Sequence, residues 1–420
     1  MLKTALLSLT LAAGLSAASM QQLFEGLKGH YQTQLGDLEI RQSVNALALV
    51  HAQLYPTIRL FGSVTHYNSP TNLRPVTPTE NAAVAPDLPF SRDISRVGAT
   101  LSMPIFVASL YTLADKAAIM QRSAREKKRV DLLKNEATLV GANANLRYLE
   151  ETRDALLQKY KTLKTTEKII RYKVTSGRAP RSALLKVQER LEQIGITIDS
   201  IEIQRENIRA LIENLSGIRL NRSIPMKKSR TIRKEELAPL RPLKARAEAD
   251  RLAVDAQREK LYPSLHLNAD ISRGYGESYL SGRDVHRDYG GVGLTLSVPL
   301  VDVGQYRHIE QARIAAQKSQ TELAMNAEEL RTRARSRERQ LKLLKRSLTL
   351  HRRAIGHQKQ LLKIAAASYK KGRMPLEEYL RYVDALFDAR ARYYQSKAQY
   401  WQTLAELAFL YGNDFETLVR

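Results

Sequence analysis

Two stretches of this chain, residues 110–172 and 305–368, contain no proline and repeat their apolar residues at helical spacing. Leu149, Leu156, Leu163 and Ile170 step by seven, as do Leu341, Leu348, Ile355, Leu362 and Tyr369. A seven-residue step is the seam of a coiled coil. At ~1.5 Å per residue, each stretch predicts a helix roughly 90–100 Å long. Each is followed by a twin punctuation, Tyr172-Lys-Val-Thr-Ser-Gly177-Arg178-Ala-Pro180 and Tyr369-Lys-Lys-Gly372-Arg373-Met-Pro375. Gly takes a left-handed backbone without a Cβ clash and ends a helix. Pro suits the first helical position, which needs no backbone N–H. Both stretches therefore read as tips of helical hairpins, with return helices over 182–215 and 376–410. The return helices are shorter than the outgoing ones, so helices over 23–54 and 244–261 are expected to complete the layer.

Elsewhere the period is two. Ile58, Leu60, Gly62 and Val64 alternate with Arg59, Phe61, Ser63 and Thr65, and Val97, Ala99, Leu101 and Met103 with Gly98, Thr100 and Ser102. Leu265, Leu267, Ala269 and Ile271 alternate with His266, Asn268 and Asp270, and Val292, Leu294, Leu296 and Val298 with Gly291, Gly293, Thr295 and Ser297. Tyr55-Pro56 and Tyr262-Pro263 precede the two pairs and should stop the helices before them, because the residue preceding proline leaves the α region. Pro104 is expected to close the second strand, and residues 69–89, with five prolines, to form a long loop. Each strand is expected to run about 9–11 residues, the length that crosses a bilayer at a tilt. An ordinary hairpin with one face on a core shows the same alternation.

The tips lie 195 residues apart, and the same offset joins Leu101 to Leu296, Pro104 to Pro299, Ala117 to Ala312, Leu146 to Leu341, Leu185 to Leu380 and Gly217 to Gly412. An unslipping offset of this kind marks an internal duplication. The expected organisation is a first repeat over 19–217 with a β-hairpin at 57–103, an irregular linker at 218–243 forming a small side domain, and a second repeat over 244–420 with a β-hairpin at 264–298.

The N-terminus sets the compartment. Lys3, an apolar run over 5–15 and small residues at 16–19 read as a signal peptide over residues 1–18. No other run is apolar and long enough for a transmembrane helix. Cysteine is absent, which removes disulfides, thiolate metal sites and cysteine nucleophiles. The net charge is +24. Nucleic acid or anionic lipid would suit such a charge. The basic residues are spread along the chain among acids, which favours solvated helix faces, and the Arg- and Lys-rich run at 330–346 reads the same way. The eight histidines show no metal-ligand spacing. No phosphate loop, nucleophile elbow or HExxH occurs. No catalytic residue, cofactor or metal is expected, and the chain is not expected to be an enzyme.

With an exported chain and no other apolar sheet layer, the strands read as a membrane wall, apolar outward and polar inward. Four strands cannot close, and an open edge is not tolerated in hydrocarbon. Small barrels need about eight strands, so the wall must be shared between chains, and three chains would supply twelve strands.

Here the residues resemble a known family. The paired helix–Tyr–Pro–strand, the run Gly293-Leu-Thr-Leu-Ser-Val-Pro299-Leu300-Val-Asp302-Val-Gly304 and the Tyr-x-x-Gly tips are similar to TolC-type outer membrane efflux and secretion proteins. The resemblance covers essentially the whole mature chain. It implies a mainly α fold with membrane β: two long antiparallel helical hairpins forming an α-barrel, and four transmembrane strands per protomer in a trimeric 12-stranded barrel. It implies an outer membrane location with the helices in the periplasm, a homotrimer, contact with outer membrane lipid, and docking to a periplasmic adaptor protein and an inner-membrane transporter, with no nucleic acid. The function implied is a passive exit duct of an efflux pump or type I secretion system, gated at its periplasmic end. By resemblance Tyr369 lies at the constriction and Glu378 at a ring of acids, while Arg381 stands where the family often has a second acid. A Glu378–Arg381 pair would mute that ring. Tyr369 also continues the seven-step seam and fits simple packing there. The adaptor contact is implied at Gly177, Arg178, Gly372 and Arg373. The alternative reading is a periplasmic adaptor-like coiled-coil protein, which would show one hairpin flanked by small β domains.

Overall fold

The computed structural model describes residues 19–76, 78–79 and 90–419. The expected signal peptide and the loop around Pro86 and Pro89 lie outside the described residues. The named elements run α1 (Met20–Gly29), α2 (Tyr31–Ala52), β1 (Thr57–Asn72), β2 (Phe90–Phe106), α3 (Ala108–Thr175), α4 (Arg181–Ser216), α5 (Leu240–Glu259), β3 (Ser264–Glu277), β4 (Asp284–Ser297), α6 (Val303–Lys370), α7 (Leu376–Leu410) and α8 (Phe415–Leu418). α3 and α6 each contain 68 residues. The chain divides into two compact units: one is Glu39–Arg125 with Pro242–Met325, and the other is Glu126–Arg241 with the segments up to Leu38 and from Asn326 onward.

In the first unit the strands form one antiparallel sheet in the order β1-β2-β3-β4. The register aligns the alternation across all four strands. Ile58, Leu101, Ala269 and Val292 share one row, and Leu60, Ala99, Ile271 and Gly290 the next. Leu267 and Leu294 extend the apolar face on the other side. The opposite face carries rows such as Thr57–Ser102–Asn268–Gly293, in which Ser102 Oγ donates to Asn268 Oδ1 and Asn268 Nδ2 to Thr295 Oγ1, each at 3.1 Å. Within one chain the apolar face is open: Leu60 is 84% exposed and Val292 80%. Tyr55 and Tyr262 stand exposed beside the strand feet, as expected. Phe61 lies over Gly98, its cross-strand partner, where an added Cβ would meet the ring at 2.9 Å.

The strands are longer than expected, at 14 to 17 residues. Main-chain pairing continues beyond the apolar band, for example Gly276 with Val285 and Glu277 with Asp284, because the ladder needs backbone groups rather than alternating side chains. β1 accordingly reaches Asn72, into the stretch read as loop. Pro104 does not close β2, which runs to Phe106. The β1 ladder ends at Thr57–Ser102, and β2 is bulged against β3 between Pro104 and Phe106. A residue without an N–H is tolerated at such a place.

The second unit holds the core. Phe24 and Leu27 of α1 pack with Leu139 and Leu146 of α3, Ile212 of α4, Trp401 and Leu404 of α7, and Phe415 of α8. The expected single helix over 23–54 is broken at His30, whose backbone is extended at φ −83° and ψ 160°. Thr33 Oγ1 donates to the Leu27 carbonyl at 2.7 Å, giving that end an acceptor role outside the helix ladder. Residues 218–239 carry no named helix or strand and are held by side chains instead. Fully buried Asn143 donates to the Ile224 carbonyl and accepts from the Ile224 amide, both at 2.8 Å. Glu150 accepts from the Ser223 amide at 2.9 Å and from its hydroxyl at 2.5 Å.

The seam at Leu149, Leu156, Leu163 and Ile170 is buried against Val187, Leu191, Ile194 and Ile201 of α4. The seam at Leu341, Leu348, Ile355 and Leu362 is only half-buried within one chain. Heptad spacing predicts a seam but not the helix that covers it.

Candidate functional site

The hairpin tips belong to the second unit. α3 and α6 both end in a glycine at φ 72°, Gly177 and Gly372. The amide of Arg178 bonds back to the Lys173 carbonyl at 2.7 Å, and that of Arg373 to the Ser368 carbonyl at 3.0 Å. This is the six-to-one closure that a left-handed C′ glycine permits. The Arg178 and Arg373 side chains are exposed and carry no ion pair among the described residues. Pro180 and Pro375 sit at the N-cap rather than at the first helical position, with ψ 148° and 153°. Their carbonyls take the first helical bonds, from Ala183 at 3.1 Å and Tyr379 at 3.2 Å. An N-cap amide has no place in the helix ladder, so proline is equally suited there.

The tips touch through their stems. Tyr369 stacks on Tyr379 across the second hairpin, with centroids 4.9 Å apart and planes at 8°. Lys173 Nζ lies 6.0 Å from the Tyr369 ring centroid. Burial, with Tyr379 beside it, pushes the Tyr369 hydroxyl above its ordinary pKa. The return helices are tied by Lys186 and Glu377 at 3.2 Å. Between them lies a groove of about 560 Å³ lined by residues that include Pro180, Lys186, Pro375 and Leu380.

Glu378 and Arg381 are both exposed on α7, and among the described residues neither makes an ion pair. The i, i+3 spacing brings them to one side of the helix without joining them in a single chain. Sequence reading missed Tyr379, Lys173 and the Lys186–Glu377 tie. Tyr379 was accessible by folding the sequence at Met374, which places it opposite Tyr369. The other contacts join different hairpins, and no local pattern reports them.

Further along the hairpins, buried Glu167 accepts from Lys164 at 2.9 Å, Arg171 at 2.7 Å and Gln188 at 3.3 Å. These donors hold its carboxyl at about 2. Lys159 binds Asp384 at 2.5 Å and lies 5.4 Å from the centre of the Phe387 ring. Among the described residues no group of His, Asp or Glu could hold a metal ion.

The chain superposes on the Campylobacter jejuni CmeC outer membrane channel with a TM-score of 0.80, at 15% identity over 94% of this chain and 86% of that one. It superposes on the Vibrio cholerae outer membrane protein VceC with a TM-score of 0.77, at 15% identity over 94% and 96%. The open state of the Neisseria gonorrhoeae MtrE outer membrane channel gives 0.74, at 15% identity over 94% and 89%. At these identities the matches speak for the fold. No curated protein sequence matches the chain. Residues 236–413 match the model of the outer membrane efflux protein family. The expected resemblance to TolC-type outer membrane proteins is matched by the family model over those residues and by the fold, and CmeC and MtrE are described as outer membrane channels.

Proposed function

We propose that this chain is the outer membrane duct of a tripartite efflux pump or a type I secretion system. The observation that carries the reading is the open apolar face of the sheet. Its rows align across four strands and end at two unpaired edges, β1 and β4. A sheet with such edges lasts in hydrocarbon only if other chains complete it. Three copies, the number the family resemblance implies, give a twelve-stranded closure within the size range of known barrels, and the half-covered α6 seam also calls for a neighbouring copy. The helices stand in the periplasm, and the tips at Gly177, Arg178, Gly372 and Arg373 meet an adaptor protein that links the duct to an inner-membrane transporter. The constriction is formed by Tyr369, Glu378 and Arg381, and it opens when the tips are drawn apart. The adaptor-like alternative called for one hairpin flanked by small β domains, whereas the described residues form two helical hairpins and one four-stranded sheet.

The test is detergent extraction from outer membranes followed by mass measurement. A trimer that forms pores in planar bilayers is expected. A monomer released without detergent would sink the proposal.

A further inference from the structure

Against the linker, α3 and α7 leave a cavity of about 160 Å³. Tyr394, Lys397 and Trp401 line it from α7, where their spacing sets them on one helix face. Arg147 and Tyr148 line it from α3, and Pro225 of the linker completes it. Pro225 is held there because Asn143 of α3 grips both backbone groups of the residue before it, Ile224. All of these residues belong to the second unit, so the cavity stands whether or not the sheet meets lipid.

The chemistry of the lining is one-sided. Lys397 and Arg147 bring two cations, Tyr148, Tyr394 and Trp401 bring three aromatic rings, and no acid is among the described residues that line it. Glu151 stands beside the site and is already engaged. Arg147 Nη2 lies 3.7 Å from its carboxylate, and the Tyr394 hydroxyl bonds to it. Burial, together with that bond, pushes the Tyr394 hydroxyl up to about 12. Arg147 Nε is buried and has no acceptor. Lys397 is half-buried and has no ion pair among the described residues. Withdrawing a charge from water is costly unless a partner meets it, so an anion in the cavity would relieve both cations.

The size narrows the choice. A cavity of about 150 Å³ accepts a benzene ring, and ligand sites join apolar walls to a few placed polar groups. Aromatic walls suit a flat ring, while ammonium and guanidinium donors suit a carboxylate.

We propose that this cavity binds a small organic anion, a carboxylate carried on a single ring or a branched chain of similar size, and that Lys397 selects its charge. The competing occupant is water alone.

Trp401 is the only tryptophan of the chain, so its fluorescence reports the cavity without background. The full chain in detergent is titrated with benzoate, and with benzyl alcohol and benzylammonium as neutral and cationic counterparts of similar size. Benzoate should change the Trp401 emission saturably, with an affinity on the order of tenfold above that of benzyl alcohol, and benzylammonium should bind weakest. K397Q should weaken benzoate by on the order of tenfold, whereas K397R, which keeps the charge, should bind nearly as the parent chain does. Should K397Q lower Tm, the ranking of the three probes on the parent chain decides by itself. No saturable change with benzoate, or equal affinity for all three probes, would leave a wet packing gap and overturn the proposal. A folded K397Q that binds benzoate as the parent does would overturn it too.

Discussion

Tyr369 and Tyr379 lie face to face across the second hairpin tip, 4.9 Å apart and 8° from parallel. At the sequence offset of 195, Val174 and Leu184 take their places in the first hairpin, both partly buried against the seam. The two tips share a backbone turn but differ in the clasp beneath it. A stacked aromatic pair contributes about 0.5–1.5 kcal/mol beyond its area. On the proposed gate, Tyr369→Ala should raise the open fraction several-fold, seen as higher single-channel conductance or more frequent opening. Tyr369→Phe keeps the stack and should leave conductance unchanged.

Gly372 sits at φ 72°, where an L-residue with a Cβ costs roughly 1–2 kcal/mol. Gly372→Ala should fray the ends of α6 and α7. Hydrogen exchange over residues 366–380 should accelerate, while exchange around Gly177 stays as it was.

Asn143 meets both the amide and the carbonyl of Ile224 from a fully buried position. Asn143→Ala leaves two buried backbone groups without partners, at about 1–3 kcal/mol each. A lower Tm and faster proteolysis within residues 218–239 are expected. Asn143→Asp, which sets a buried carboxylate against the Ile224 carbonyl, should cost at least as much at neutral pH.

Glu136 is buried in the core of the second unit, and its carboxyl is pushed up to about 7 by burial, with Asp414 and Glu416 adding to the rise and Lys28 opposing it. The folded chain thus holds a proton there that the unfolded chain has lost. Stability should be full below the ordinary glutamate range, fall as pH rises from about 4.5 to 7, and level off above. The change is on the order of a few kcal/mol. Glu136→Gln should remove this slope and raise Tm at pH 8 more than at pH 5.

Leu294 and Thr295 are neighbours on opposite faces of β4. An arginine on the lipid face of a barrel costs about 2–4 kcal/mol near the bilayer centre. Leu294→Arg should reduce the yield of membrane-inserted trimer, measured by size exclusion after extraction. Thr295→Arg, on the face proposed to line water, should assemble normally.

Much of this molecule follows from local rules. Glycine ends helices at residues 177 and 372 because it alone enters the left-handed region freely, and two-residue alternation marks four strands because successive side chains take opposite faces. Seven-residue spacing marks the buried seam from Leu149 to Ile170. Those signals sit within a few residues of what they determine, so the linear chain displays them. The family resemblance was legible for the same reason, since it rests on the order of such signals.

What the linear chain did not display depends on residues far apart in sequence. The strands outrun their alternation because pairing needs only backbone partners. The turn at His30 and the hold of Asn143 on Ile224 arise where separate elements meet. Arg96 and Arg287, on strands that do not touch, come level only once register is set. Periodicity told which way each side chain faces, because that is a property of one strand or helix. Which side chains stand together was left to the packing, because proximity across elements is fixed by register and by the neighbours that cover each face.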